Sequence, residues 1–186
     1  MIGGRVMLTI TIPAGELFDE KTQTFITVKE QTLQLEHSLV SLSKWESKWC
    51  VPFLTNKSKT IAQTIDYIRC MTITQNVDPN VYMFLSRSNI EEINAYIDAP
   101  MTATTFNERS NNSGKKPIIT AELIYYWMIS YNIPVKFEKW HINKLLTLIR
   151  VCNEKNSPPK KMSKRDITSQ YASLNAARKQ KLNTRG

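Results

Sequence analysis

The chain has 186 residues, of which 41% are hydrophobic and 22% charged, and a formal net charge of +9. That length suits one ordinary domain plus an appendage, and no run reaches the roughly 18 consecutive apolar residues of a membrane span. Cys50, Cys70 and Cys152 are an odd number with no C-x-x-C pair, which argues against a disulfide framework or a zinc site and for buried structural thiols.

The opening MIGGRVMLTITIP has threonines interrupting its apolar run and no cleavage site, so it does not read as a signal peptide and an intracellular protein is expected. Val6 to Ile12 alternates, with Leu8, Ile10 and Ile12 on one side, the period of a half-buried strand. Pro13-Ala14-Gly15 ends it. Phe18 and Phe25 are placed to meet across a hairpin over the polar turn Asp19-Glu20-Lys21-Thr22. Phe25 to Val28 and Thr32 to Glu36 read as further strands. A sheet of two or three strands needs helices on its apolar face to be stable.

Ser38 is placed to cap a helix to about Trp49, with Leu42, Trp45 and Trp49 on the sheet side. The alternation of Lys44, Glu46 and Lys48 with the tryptophans also fits base stacking, though an amphipathic helix is the simpler reading. Thr60 starts the next helix, with Ile61, Ile65 and Ile68 on one face. Asp78-Pro79 opens a short helix carrying Val81, Phe84 and Leu85. Ser88 to Glu91 reads as a capping box for a helix through Ile90, Ile93 and Ile97, stopped by Pro100. Met101 to Lys116 is a polar loop.

Ile118 to Asn153 reads as a central αα-hairpin and the expected core. Thr120 caps the first helix, whose Leu123, Trp127 and Tyr131 share a face. Asn132-Ile133-Pro134 breaks it. Ile142, Leu145, Leu146 and Ile149 then follow the spacing of a buried helix face, widened by Trp140 and Leu148.

The composition changes after Asn153. From Lys155 to Gly186 there are nine Lys/Arg against the single acid Asp166, a net +8, whereas residues 1–154 hold sixteen Lys/Arg and fifteen acids, a net +1. Behind the linker Asn156-Ser157-Pro158-Pro159, Ser163 is placed to cap a helix to about Leu182. Ile167, Tyr171 and Leu174 form one thin apolar line on it, with Lys164, Arg165, Arg178 and Lys179 around it. A purely electrostatic arm has no use for that line, so docking on a protein is favoured over nucleic-acid binding.

No catalytic, cofactor or metal constellation is visible. His37 and His141 are the only histidines, and the metalloprotease, nucleophile-elbow, dinucleotide and phosphate-loop motifs are all missing. A non-catalytic protein without cofactors is expected.

The aromatic helix AELIYYWMISY, the N-I-P turn and the leucine-rich EKWHINKLLTLIRV together resemble the tail-assembly chaperones of long-tailed bacteriophages. The matching positions are Tyr126, Trp127, Tyr131, Ile133, Trp140, Leu145, Leu146 and Ile149, about a fifth of the chain. Many members of those families show His before Trp, the reverse of Trp140-His141. The resemblance implies a protein of the host cytoplasm that binds the tape-measure protein, helps tail-tube subunits assemble around it, and has a longer frameshifted form. Self-association is compatible with it. A virion structural protein, such as a head–tail connector or tube-associated subunit, and a nucleic-acid-binding protein acting through the tail are the alternative readings.

The fold expected is α+β and mostly helical. A small antiparallel sheet (about 6–36) packs on a helical body (about 38–154), and a basic helix-prone tail (155–186) follows. The candidate partner-binding residues are Tyr126, Trp127, Tyr131 and Trp140 on the body, and Lys164, Arg165, Ile167, Tyr171, Leu174, Arg178 and Lys179 on the tail.

Overall fold

A computed structural model describes residues 7–20, 23–56, 58–106, 118–157 and 164–183. The chain is α+β and mostly helical. It divides into two compact units, Met1–Cys152 and Asn153–Gly186. Among the described residues no helix is long and apolar enough to cross a membrane.

Among the described residues four strands form two antiparallel pairs rather than one sheet. β1 (Leu8–Ile12) pairs with β4 (Gln31–Leu35), and β2 (Gly15–Asp19) pairs with β3 (Thr24–Val28). The alternation in β1 and β4 holds, because Ile10, Ile12, Leu33 and Leu35 all face the core. The long hairpin is interrupted where Pro13 has no N–H to give a ladder. β2 supplies the first strand of the hairpin that brings Phe18 to Phe25, and Gly15 lets it pass close to Phe84. A Cβ at Gly15 would lie 2.6 Å from the Phe84 ring. The free edge of β4 is covered by the segment after the second helix, through Glu36 N to Met71 O (2.8 Å) and Ile73 N to Gln34 O (2.9 Å).

The hub of the body is α1 (Leu39–Trp49) rather than the central stretch. It packs on α2 (Ile61–Met71), on α4 (Ala121–Ser130) and on the 3₁₀ turn Val135–Lys139. Ser38 caps α1 as expected, in a reciprocal pair with Ser41. Leu39, Leu42 and Trp45 are fully buried, and the Trp45 indole N–H donates to the Gln63 carbonyl at 2.9 Å. Trp45 is therefore not available to stack a base. Trp49 donates its indole N–H to Asp66.

Three local expectations are corrected. Ile61 does not join the inner face of α2 but is 81% exposed, because the buried side is set by Tyr67, Ile68 and Met71. α3 (Arg87–Asp98) is capped by Ser86 rather than Ser88, since Asn89 supplies the reciprocal bond to the Ser86 N–H and ties its own amide to the Thr11 carbonyl of β1. Cys50 is exposed rather than a buried thiol. It ends α1 in the left-handed conformation at φ 53°. The Asp78-Pro79 start holds but opens a 3₁₀ turn, Pro79–Phe84.

Both helices of the central stretch are present, α4 and α5 (Ile142–Asn156), and Thr120 caps the first. The face that α4 buries carries Ala121, Ile124 and Met128, whereas Leu123, Trp127 and Tyr131 are only half-buried. α5 buries Ile142, Leu145 and Ile149 as its spacing requires, with Leu146 half-buried. α6 (Lys164–Leu182) is the tail helix. Ser163 and the loop residues 107–117 lie outside the described residues.

Candidate partner-docking surfaces

α4 is apolar on every side, AELIYYWMIS. Such a helix either sits wholly inside a protein or shows an apolar face outward. Here one face is buried on α1 and the other is not, for Tyr126 is 63% and Ile129 is 75% exposed. The helix stops at Asn132, held at φ 53°, with Ile133 N bonded to Met128 O at 2.8 Å. Pro134 then delivers Val135, 68% exposed, at the start of the 3₁₀ turn.

A buried-side hydrogen bond pins this turn to the helix. Tyr125 Oη donates to Glu138 Oε2 at 3.0 Å. Desolvation pushes the Tyr125 hydroxyl up to about 12, with help from the Glu138 bond and charge, so it stays a donor at every physiological pH. Phe137 stacks on Trp140 with centroids 4.0 Å apart, and Lys144 lies over the Trp140 ring at 4.4 Å.

The start of α4 is anchored by an acidic side chain that lies between two lysines in the alternation of α1. Glu46 of α1 is buried. Its two oxygens accept from the backbone N–H of Phe53 at 2.6 Å and of Ala121 at 2.7 Å. The second bond sits at the helix N-terminus, where an anion is favoured.

The expected body residues are thus brought to one region but divided by depth. Tyr126 is exposed, Trp127 and Tyr131 are packed partly against the core, and Trp140 is half-buried under Lys144. Ile129 and Val135 were not among them. The available signal was the all-round apolarity of α4, which leaves one face over once the other is buried.

The second unit carries the other expected residues. Lys164 opens α6. Arg165, Ile167, Tyr171, Leu174, Arg178 and Lys179 are all exposed on it. A third apolar surface, which the sequence reading did not single out, is the β2–β3 hairpin. Phe18 and Phe25 meet in register with centroids 5.0 Å apart, as expected, yet Phe25 is 66% exposed, and Leu17 on the other face of the hairpin is also exposed.

The two histidines, far apart in sequence, pack edge to face in the core with centroids 4.9 Å apart. His37 Nδ1 and Tyr67 Oη share a 2.5 Å hydrogen bond, the His37 backbone N–H donates to Tyr96 Oη, and His141 Nε2 meets the Tyr96 carbonyl at 2.9 Å. Burial, then the neighbouring His141 and Lys59, hold His37 down at about 3. Burial likewise raises Tyr67 and lowers His141. At neutral pH this is an uncharged, hydrogen-bonded lock between the β4–α1 junction, α2, α3 and the start of α5. Among the described residues no group of three or more His, Cys, Asp or Glu is placed to hold a metal.

No family model, curated protein or solved structure matches the chain.

Proposed function

We propose that the protein is a non-catalytic binding protein that covers an apolar stripe on a helical partner, and that it acts as a phage tail-assembly chaperone toward the tape-measure protein. One observation carries this reading: α4 buries Ala121, Ile124 and Met128 while leaving Tyr126 and Ile129 to solvent, next to exposed Val135. Exposed apolar side chains grouped on one helix and the turn after it mark a site for a partner. The Tyr125–Glu138 and Glu46–Ala121 bonds hold that surface in place before a partner arrives, which lowers the ordering cost of binding.

The test is co-expression with the tape-measure protein and pull-down at low salt and at about 0.5 M NaCl, where the Debye length is only a few ångström. The full chain is compared with a Tyr126→Ser, Ile129→Ser double variant. Retention in high salt by the wild type, lost in the double variant with the circular dichroism spectrum unchanged, supports the proposal. No retention, or equal retention by both, refutes it. Nucleic acid co-purifying only at low salt would transfer the function to the basic tail.

A further inference from the structure

We infer that α6 of one copy docks on the β2–β3 hairpin of a second copy, giving a weak, salt-sensitive dimer. The inference rests on two exposed surfaces with complementary patterns, and it is independent of the tail-assembly reading. Along α6 the cations lie at the ends: Lys164 and Arg165 at one, Arg178, Lys179 and Lys181 at the other. Asp166 follows the first pair, leaving that end net +1, and from Ile167 to Ala177 no residue is charged. In that interval Ile167, Tyr171 and Leu174 fall at i, i+4 and i+7, one stripe about 10 Å long, and all three are exposed. An aromatic centre within a charged rim is the anatomy of a protein interface.

The hairpin carries the inverse pattern. Register places Phe18 opposite Phe25 and Glu16 opposite Thr27, and strand alternation puts these four on one face. Thr27 Oγ1 donates to Glu16 Oε1 at 3.3 Å, orienting that carboxylate. Exposed Glu20 stands at the turn beyond Phe18. The face therefore runs acidic, aromatic, acidic over about 13 Å, against basic, apolar, basic on α6. Tyr171 set over the Phe18–Phe25 pair brings the cationic ends of α6 toward Glu16 and Glu20.

The same features disfavour other occupants. A nucleic-acid groove would take cations along the middle of the helix, where α6 has none. An anionic membrane would take a broader apolar face than this line. Pairing α6 with α6 would set like charges together. Each copy carries one of each surface, and a pair of copies that makes the contact in both directions closes as a two-fold dimer.

Sedimentation velocity of the full chain from about 1 μM to about 1 mM tests this. Association is expected at low salt and is expected to weaken tenfold or more at about 0.5 M NaCl. Tyr171→Glu alters an exposed side chain and should leave Tm unchanged, and Phe25→Ser, which also removes the cross-strand contact with Phe18, should lower it by no more than about 6 °C. Each is expected to weaken association at least tenfold. An equimolar mixture of the two variants is expected to associate more than either alone, because a mixed dimer keeps one intact hairpin and one intact α6 that meet. A chain that stays monomeric at low salt overturns the inference. So does association unaffected by either variant, a mixture no better than its components, or association abolished by nuclease.

Discussion

Glu46 is the side chain whose removal should do most damage for its size. It is buried, and both its oxygens accept from backbone N–H groups, at Phe53 after α1 and at Ala121 in the first turn of α4. A hydrogen bond to a charged partner contributes about 1.5–3 kcal/mol, and each abandoned buried donor carries its own desolvation cost. Glu46→Ala leaves both donors without this partner, so a loss of about 3–5 kcal/mol is expected, a large part of the about 5–15 kcal/mol of a typical domain. Glu46→Gln is the sharper probe because it keeps the shape. Its carboxamide oxygen serves one N–H while its NH₂ group is turned on the other, so about 1.5–3 kcal/mol should go. For a body of this size that lowers Tm by roughly 3–12 °C. Urea unfolding followed by tryptophan fluorescence reads it, with the slope of the transition checked for change. A Glu46→Gln protein within about 0.5 kcal/mol of wild type would show that these two bonds do not hold α4 on α1.

Two further perturbations follow from buried or strained positions. His37 is held neutral down to about 3, against 6.5 in an unfolded chain. Between those values the unfolded chain binds a proton that the folded one does not. The stability is therefore fully present above about pH 6.5 and is lost as pH falls, by about 1.4 kcal/mol per pH unit. Denaturation should show stability nearly flat above about pH 7.5 and falling toward that slope between about pH 6 and 4.5, and His37→Asn should reduce the fall, with His141, also lowered by burial, keeping part of it; an unchanged fall in the variant would refute the assignment. Cys50 ends α1 at φ 53° without the freedom of glycine. Cys50→Gly should raise stability by about 0.5–1 kcal/mol, and thermal unfolding that shows a loss instead would count against backbone strain there.

Much of the fold was legible because its signals are local. Ser38, Thr60 and Thr120 start their helices where their hydroxyls can accept from the first turn, and the alternation of Leu8 to Ile12 and of Leu33 and Leu35 gives two strands. Where two local solutions compete, chain order does not choose between them. Ser86 and Ser88 both offer a cap, and the one chosen is the one whose Asn89 also reaches β1. β2 has no clean alternation, and it forms as a strand because Phe18 has Phe25 to meet and Gly15 lets the chain pass close to Phe84.

The candidate surfaces divide in the same way. The basic end of the chain and the line Ile167, Tyr171, Leu174 are written in sequence order, since charge and helical spacing need no tertiary partner to be seen. Which side of α4 faces outward is not, because a helix apolar on every side has no periodicity to read. Only the packing of Ala121, Ile124 and Met128 inward leaves Tyr126 and Ile129 outside. The same holds for Glu46, His37 and His141. Each looks like an ordinary polar residue in its own segment. Each became a buried bond or a ring contact only when segments as far apart as residues 37 and 141, or 46 and 121, were folded together. Burial is set by the sum of all neighbours in space, and the chain order of residues does not contain that sum.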